Sequence, residues 1–264
     1  MTAPILSHVF PNGLVLLAQP MHWLQSAAFS FLVPAGCNNE PAARLGLAAL
    51  ACEMTLRGAG PRDNRQFVLD LDNLGVSHHA SVSSTRVSYG GATLAENLPA
   101  ALTIFADVLQ RPHLPAEELD ACRQNALQSL RSVEDEPSEK VMIELRRRHF
   151  PDPWGRSSLG EQEALETIGL QEIRSFYERQ FQPRGTILGV AGRVEWEPLK
   201  DLAGKLLGDW QPVDSAAFDE QPAPGGYLHV PYDSAQTHIG IGYASVPYRH
   251  SDYFQAWGAA GALG

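Results

Sequence analysis

Residues 27–58 read AAFSFLVPAGCNNEPAARLGLAALACEMTLRG. The first seven residues alternate and include Phe29 and Phe31, the period-two pattern of a strand. Pro34-Ala35-Gly36 ends it, and Cys37-Asn38-Asn39-Glu40-Pro41 is a loop. From Leu45 to Leu56 the period changes. Leu47, Leu50 and Met54 recur at three and four with alanines between them, as in an amphipathic helix. Gly58-Ala59-Gly60-Pro61 stops that helix.

The same reading extends in both directions. Upstream, Phe10 to Leu14 is a turn feeding a strand over Leu14 to Ala18. Downstream, Asn64 to Leu74 is helical and closed by Gly75, and Val76 to Tyr89, rich in Ser, Thr and Val, is a hairpin. Helices follow over Glu96–Leu109, over Glu117 to Glu134 behind Pro115, and over Ser138–Arg148 behind Pro137. Leu170–Phe181 is helical, Thr186–Gly192 is a buried-type strand, and Pro198–Leu207 is helical. The fold class is therefore α+β: a mixed, mostly antiparallel sheet with helices on one face.

Gln211 to Gly226 holds three prolines and two glycines and reads as a linker. Beyond it, Tyr227–Val230 and His238–Tyr243 are expected strands, and Tyr253–Leu263 is an expected helix. The order strand, Pro34, polar loop, helix recurs as Thr237–Val246, Pro247, polar loop, Tyr253 helix. This predicts a first domain over 1–210, a linker over 211–226, and over 227–264 the start of a second, similar domain cut off at Gly264.

Composition narrows the function classes. The 264 residues carry a formal net charge of −10 with no Lys/Arg-rich run, which argues against nucleic-acid binding. Three cysteines without short spacing are not a disulfide framework and fit a reducing compartment. The start, MTAPILSHVF, has no basic n-region, and no stretch reaches the apolar length of a membrane span. The expectation is a soluble cytoplasmic protein.

The motif order resembles the pitrilysin/insulinase/mitochondrial-processing-peptidase-like (M16) metallopeptidases. The shared pieces begin with Pro11-Asn12-Gly13-Leu14 and a strand ending in Ala35-Gly36-Cys37-Asn38-Asn39-Glu40. Gly46-Leu47-Ala48-Ala49-Leu50-Ala51-Cys52-Glu53-Met54 then stands where that family has G-L-A-H-x-x-E-H-M, followed by Arg57-Gly58. Gly75, Arg111-Pro112, Glu134-Asp135-Glu136-Pro137, Gly155 to Gly160 and Gly189-Val190-Ala191-Gly192 come in the family's order. The resemblance covers nearly the whole chain and implies a LuxS/M16-peptidase-like domain.

The family's chemistry rests on H-x-x-E-H. Residues four apart share a helix face, so two histidines grip one zinc while the Glu between them acts as general base on the bound water. By the resemblance, the first histidine position is Ala49, the glutamate Cys52, the second histidine Glu53 and the distant glutamate ligand Ser129. Ala has no donor atom, Ser is a poor zinc ligand, and catalytic zinc needs about three protein ligands. The expectation is no catalytic residue, no metal and no cofactor.

What the resemblance still implies is peptide binding by strand addition along His79, Ala80, Ser81 and Ser83, which needs main-chain bonds and no zinc. It also implies a partner: a zinc-bearing M16 subunit with intact H-x-x-E-H, or a second copy in a homodimer, forming a peptide-binding chamber. The competing reading is an active zinc metalloendopeptidase with a rebuilt site from Cys52, Glu53 and His79. A third is a peptide-binding scaffold without a peptidase partner. Against the rebuilt site stand plainer assignments: Cys52 as a small buried hydrophobe, and His78 and His79 as polar hairpin residues.

Overall fold

The computed structural model describes residues 4–214, 218–232 and 235–263. The side chain of Glu134 and parts of the expected linker and following segment lie outside them.

β1 (Leu6–Val9), β2 (Val15–Pro20) and β3 (Ser26–Val33) precede α1 (Leu47–Thr55). A two-stranded ribbon, β4 (Gly58–Ala59) and β5 (Arg62–Asp63), leads into α2 (Asn64–Asn73). The hairpin β6 (Ser77–Val82) and β7 (Val87–Leu94) is followed by α3 (Leu98–Gln110), α4 (Leu119–Glu134), α5 (Pro137–His149), α6 (Gln162–Thr167) and α7 (Leu170–Gln180). β8 (Ile187–Gly192) and α8 (Trp196–Leu207) complete the compact part, and α9 (Tyr253–Leu263) lies far downstream.

The six-stranded sheet has the order β1-β2-β8-β3-β7-β6. β8, late in the chain, inserts between β2 and β3, parallel to the first and antiparallel to the second; the other pairings are antiparallel. Gly192 permits the insertion. Its φ is +131°, and a Cβ there would lie 2.6 Å from Ala27 Cα.

Alternation fixes which face is covered. Ala27, Phe29, Phe31 and Val33 of β3, Leu16 and Ala18 of β2, and Leu188 and Val190 of β8 are buried together against the helices. Phe29 meets Phe105 of α3 edge-on at 5.0 Å, and Ile173 and Phe176 of α7 join the same core. Burial of each such side chain contributes about 1.5–3 kcal/mol. Ser26, Ala28 and Leu94 on the opposite face are exposed. The helices thus pack on one face of a mostly antiparallel sheet, as the periodicity predicts.

The strands expected at Tyr227–Val230 and His238–Tyr243 do not form, and the structure corrects that expectation. A strand is stable only when its backbone groups find a ladder partner, and among the described residues none runs beside these segments. Residues 238–242 instead cross α5. A Cβ on Gly240 would meet Val141 Cγ1 at 2.8 Å, and one on Gly242 would meet His149 Nδ1 at 3.0 Å. Ile239, Ile241 and Tyr243, which alternate with these glycines, face solvent. The helix expected at Tyr253–Leu263 does form.

Candidate functional site

α1 is held at its start by an unusual cap. Gly46, with φ +111°, has no side chain to offer. The Glu40 carboxylate arrives from the preceding loop instead, its Oε1 accepting from the N–H of Ala48 at 2.7 Å and of Gly46 at 3.2 Å. Glu40 is buried, and its Oε2 has no protein partner. Burial raises its pKa to about 7, opposed by the two N–H donors and by Arg156. Arg156 also donates to the Glu40 main-chain oxygen and is held by Asp152.

The exposed and inner sides of α1 have different chemistry. Ala49 and Glu53, four apart, share the half-exposed side. Cys52 turns inward, only 5% exposed, toward the wholly buried Tyr89. The Thr55 hydroxyl donates to the Cys52 carbonyl oxygen at 2.7 Å and lies 2.7 Å from the Tyr89 hydroxyl. Burial raises the Cys52 thiol pKa to about 12, so it stays protonated at neutral pH. Glu53 accepts from Arg57 Nη2 at 3.1 Å. Ser129 on α4 is exposed and bonds back to its own helix, its Oγ donating to the Asn125 oxygen at 3.1 Å.

β6 is one of the two edge strands of the sheet, opposite β1. Its register with β7 pairs His79 with Gly90 and Ala80 with Tyr89. Ala80 therefore shares the helix-covered face with Tyr89 and Cys52, and His79 lies on the opposite face above Gly90. The structure does not bring Cys52, Glu53 and His79 together, because the sheet separates them. Among the described residues no group of three or more His, Cys, Asp or Glu side chains is placed to hold a metal ion. His78, on the helix side, stands edge-on to Phe67 and Phe105 at 6.4 and 6.3 Å.

The backbone of β6 has a definite polarity. The Ser83 N–H donates to the Arg86 oxygen at 2.8 Å at the hairpin end, which makes that pair a hydrogen-bonded one. Antiparallel pairs alternate between bonded and non-bonded. Ser81, His79 and Ser77 thus direct N–H and C=O toward β7, while His78, Ala80 and Val82 direct theirs to the free edge. Ser83 lies beyond the strand, and its oxygen accepts from the Cys37 N–H at 3.1 Å. Of the four residues expected to bind peptide, Ala80 offers main-chain groups, and His79 and Ser81 border the edge by their side chains.

A groove of about 690 Å³ lies elsewhere, between α5 and residues 225–242. It contains none of the positions that the sequence singles out for chemistry, so α1 and β6 remain the candidate site.

A family model for the insulinase-type peptidases, family M16, matches residues 17–160. The chain belongs to peptidase family M16. A second model, the M16 inactive domain, matches residues 167–260 of this M16 chain. An uncharacterized zinc protease of Rickettsia bellii is 25% identical over 238 residues, 90% of this chain and 58% of the relative. The beta subunit of the mitochondrial-processing peptidase of Neurospora crassa is 26% identical over 251 residues, 92% of this chain and 53% of the relative. The M16 chain thus spans little more than half the length of these curated relatives. Among solved structures, a protease from Helicobacter pylori superimposes with TM-score 0.75 at 20% identity, covering 84% of this chain and 54% of that one. An M16 inactive domain from Pseudomonas fluorescens gives 0.74 at 17% identity, with 83% and 54% covered.

The donor set of this M16 member does not fit a catalytic zinc. Ala49 supplies no ligand, Cys52 is a buried thiol turned away, Glu53 is engaged by Arg57, and Ser129 faces solvent. Three site residues escaped the sequence reading: Arg57, Tyr89 and Glu40. The four-residue spacing of Glu53 and Arg57 was a readable signal for the first. Glu40 closes the Ala35–Glu40 motif, which marked the position without giving its capping role, and Tyr89 reaches α1 from a distant strand and left no local signal.

Proposed function

We propose that this chain is a non-catalytic M16 subunit that helps form a peptide-binding chamber with a zinc-bearing M16 partner and holds extended peptide along β6. The supporting observation is the combination at one place of an unusable ligand set on α1 and an uncovered strand edge beside it. Strand addition draws its affinity from main-chain bonds and does not depend on a metal. The relative named as a beta subunit of a processing peptidase supports a paired arrangement, and a homodimer is the other form that this pairing takes.

The same reading includes a second M16-like domain beginning near Tyr227, after a linker over 211–226. It also places the protein in the cytoplasm, in line with three free buried cysteines.

Co-expression with an H-x-x-E-H-bearing M16 protein from the same genome tests the reading. Co-purification as one species, with peptide hydrolysis that neither chain performs alone, is the expected result. Hydrolysis by this chain alone, abolished by a chelator, would defeat it.

A further inference from the structure

Part of the stretch that composition reads as a linker is docked. The main chains of Asp152 and Gln221 exchange two hydrogen bonds, each N–H donating to the other residue's oxygen at 3.0 Å. Gly225 donates its N–H to the Arg148 oxygen at 3.0 Å, and Arg148 Nη1 donates to the Gly225 oxygen at 2.6 Å. The Trp154 indole N–H donates to the Glu220 carboxylate at 2.8 Å, and its ring meets Phe218 edge-on at 4.9 Å. Residues 218–225 therefore lie as a strap on a platform formed by residues 148–156. From Gly225 onward the chain forms one wall of the groove beside α5.

The same platform reaches the candidate site by two routes. Ser84, at the tip of the β6–β7 hairpin, donates its hydroxyl to the Trp154 oxygen at 3.2 Å, and its own main-chain oxygen accepts from the Asn38 N–H at 2.9 Å. Asp152 accepts from Arg156 with both carboxylate oxygens, at 2.7 and 2.5 Å. Arg156 in turn donates to the main-chain oxygen of Glu40, whose carboxylate caps α1 at Gly46 and Ala48. The Arg156 side chain is only 10% exposed, so little water competes for its bonds.

We infer that residues 218–225 are a latch that couples the placement of the downstream chain to the candidate site, acting through Trp154 on the end of β6 and through Asp152 and Arg156 on the cap of α1. Arg148 and Trp154 are its positioning residues. Coupling of this kind needs a contiguous set of contacts and an element with two states. The contacts are those above, and the two states are the strap docked and the strap released. The effect on peptide rests on the proposed peptide-binding role, whereas the latch itself rests on the contacts alone.

The experiment has two arms. The first follows hydrogen exchange of the full chain, amide by amide. The Gln221 and Gly225 amides are expected to exchange at least about tenfold more slowly than in an unstructured peptide, and unprotected rates at both overturn the docking. Arg148→Met/Trp154→Phe removes both side-chain donors and keeps the platform's main chain, and in it the two strap amides should lose that protection. The Asn38 and Ala48 amides at the candidate site should then exchange about tenfold faster. Retained protection of the strap overturns the part given to Arg148 and Trp154, and unchanged rates at Asn38 and Ala48 overturn the coupling. Should the double variant fail to fold, Gln221→Pro, which removes one donor from the exposed strap, is read at Gly225, Asn38 and Ala48 in the same way.

The second arm measures binding of a fluorescein-labelled, unstructured peptide of alternating apolar and polar residues. Arg148→Met/Trp154→Phe is expected to weaken binding about tenfold. Ser84→Ala, which cuts the Trp154 route and leaves the strap docked, should give part of that loss. Unchanged affinity in the double variant overturns the control of peptide binding by the latch, and unchanged affinity in Ser84→Ala overturns the Trp154 route. Absence of binding by the wild-type chain counts against the proposed peptide-binding function, and the exchange arm still decides the latch.

Discussion

The His79 imidazole lies over Gly90, its Cε1 only 2.5 Å from where a Cβ on that glycine would stand. The two residues face each other in register on the uncovered side of the sheet, so the glycine leaves the volume that the ring fills. Gly90→Ala should cost about 1 kcal/mol, because the ring must swing away and take up an unfavourable rotamer. The Gly90→Ala/His79→Ala double variant should recover that loss, since the clash disappears with the ring. Chemical unfolding of the four proteins measures the coupling, and equal losses in the single and double variants would refute the contact.

Proline scanning of β6 tests the assignment of its backbone. Ala80 points its N–H to the free edge and Ser81 points its N–H to β7, as the alternation from Ser83 requires. Ala80→Pro should fold with a loss of about 1 kcal/mol or less yet fail to take up peptide. Ser81→Pro removes a ladder bond and should cost about 3 kcal/mol. Thermal melts combined with peptide binding separate the two, and the reverse order of damage would put the strand in the other register.

Metal and thiol chemistry should both be silent. After dialysis against micromolar zinc, elemental analysis should find well under one zinc per chain. Cys52, whose pKa is raised to about 12 by burial, should resist alkylation at pH 8 until the protein is unfolded. A stoichiometric ion that is lost in Glu53→Gln would contradict the arrangement of α1 described above.

Glu40 should give the stability a pH dependence of unusual sign. Burial holds its folded pKa at about 7, above the ordinary value of 4.5 for a glutamate, so the native state holds a proton that the unfolded chain has already released. Between about pH 4.5 and 7 the native form binds more protons, and stability contributed by this group falls as pH rises. The full shift corresponds to about 3 kcal/mol as an upper bound. Glu40→Gln keeps the acceptor for the α1 N-terminus and should flatten the profile. Unfolding free energies at pH 5, 6, 7 and 8 check this, and identical slopes in both proteins would remove Glu40 as the cause.

Much of the compact fold could be read in the sequence because its signals are local. The alternation through Phe29 and Phe31, the stripe Leu47–Leu50–Met54 and the proline that opens α5 each act within a few residues. Other features depend on distant partners. β8 reads as a strand, but nothing local says that it inserts between β2 and β3. β1 is four residues long, and β4 and β5 are two each, too short for a period to register. Alternation over His238–Tyr243 signals only the ability to form a strand. The ladder needs a neighbour, and none is present among the described residues. At the site, the loss of the first family ligand position could be read directly from Ala49. That Cys52 and His79 fall on opposite sides of a sheet needed the β6–β7 register.

The alternation along β6 also bears on how this protein can change over generations. The even-position side chains His78, Ala80 and Val82 turn toward the helices, so exchanges there are filtered by the core, whereas Ser77, His79 and Ser81 stand on the uncovered face and are far less constrained. The main-chain groups at the open border belong to every residue except proline and survive almost any exchange. The border can therefore persist while the exposed side chains beside it drift, a freedom that a strand covered on both faces does not have.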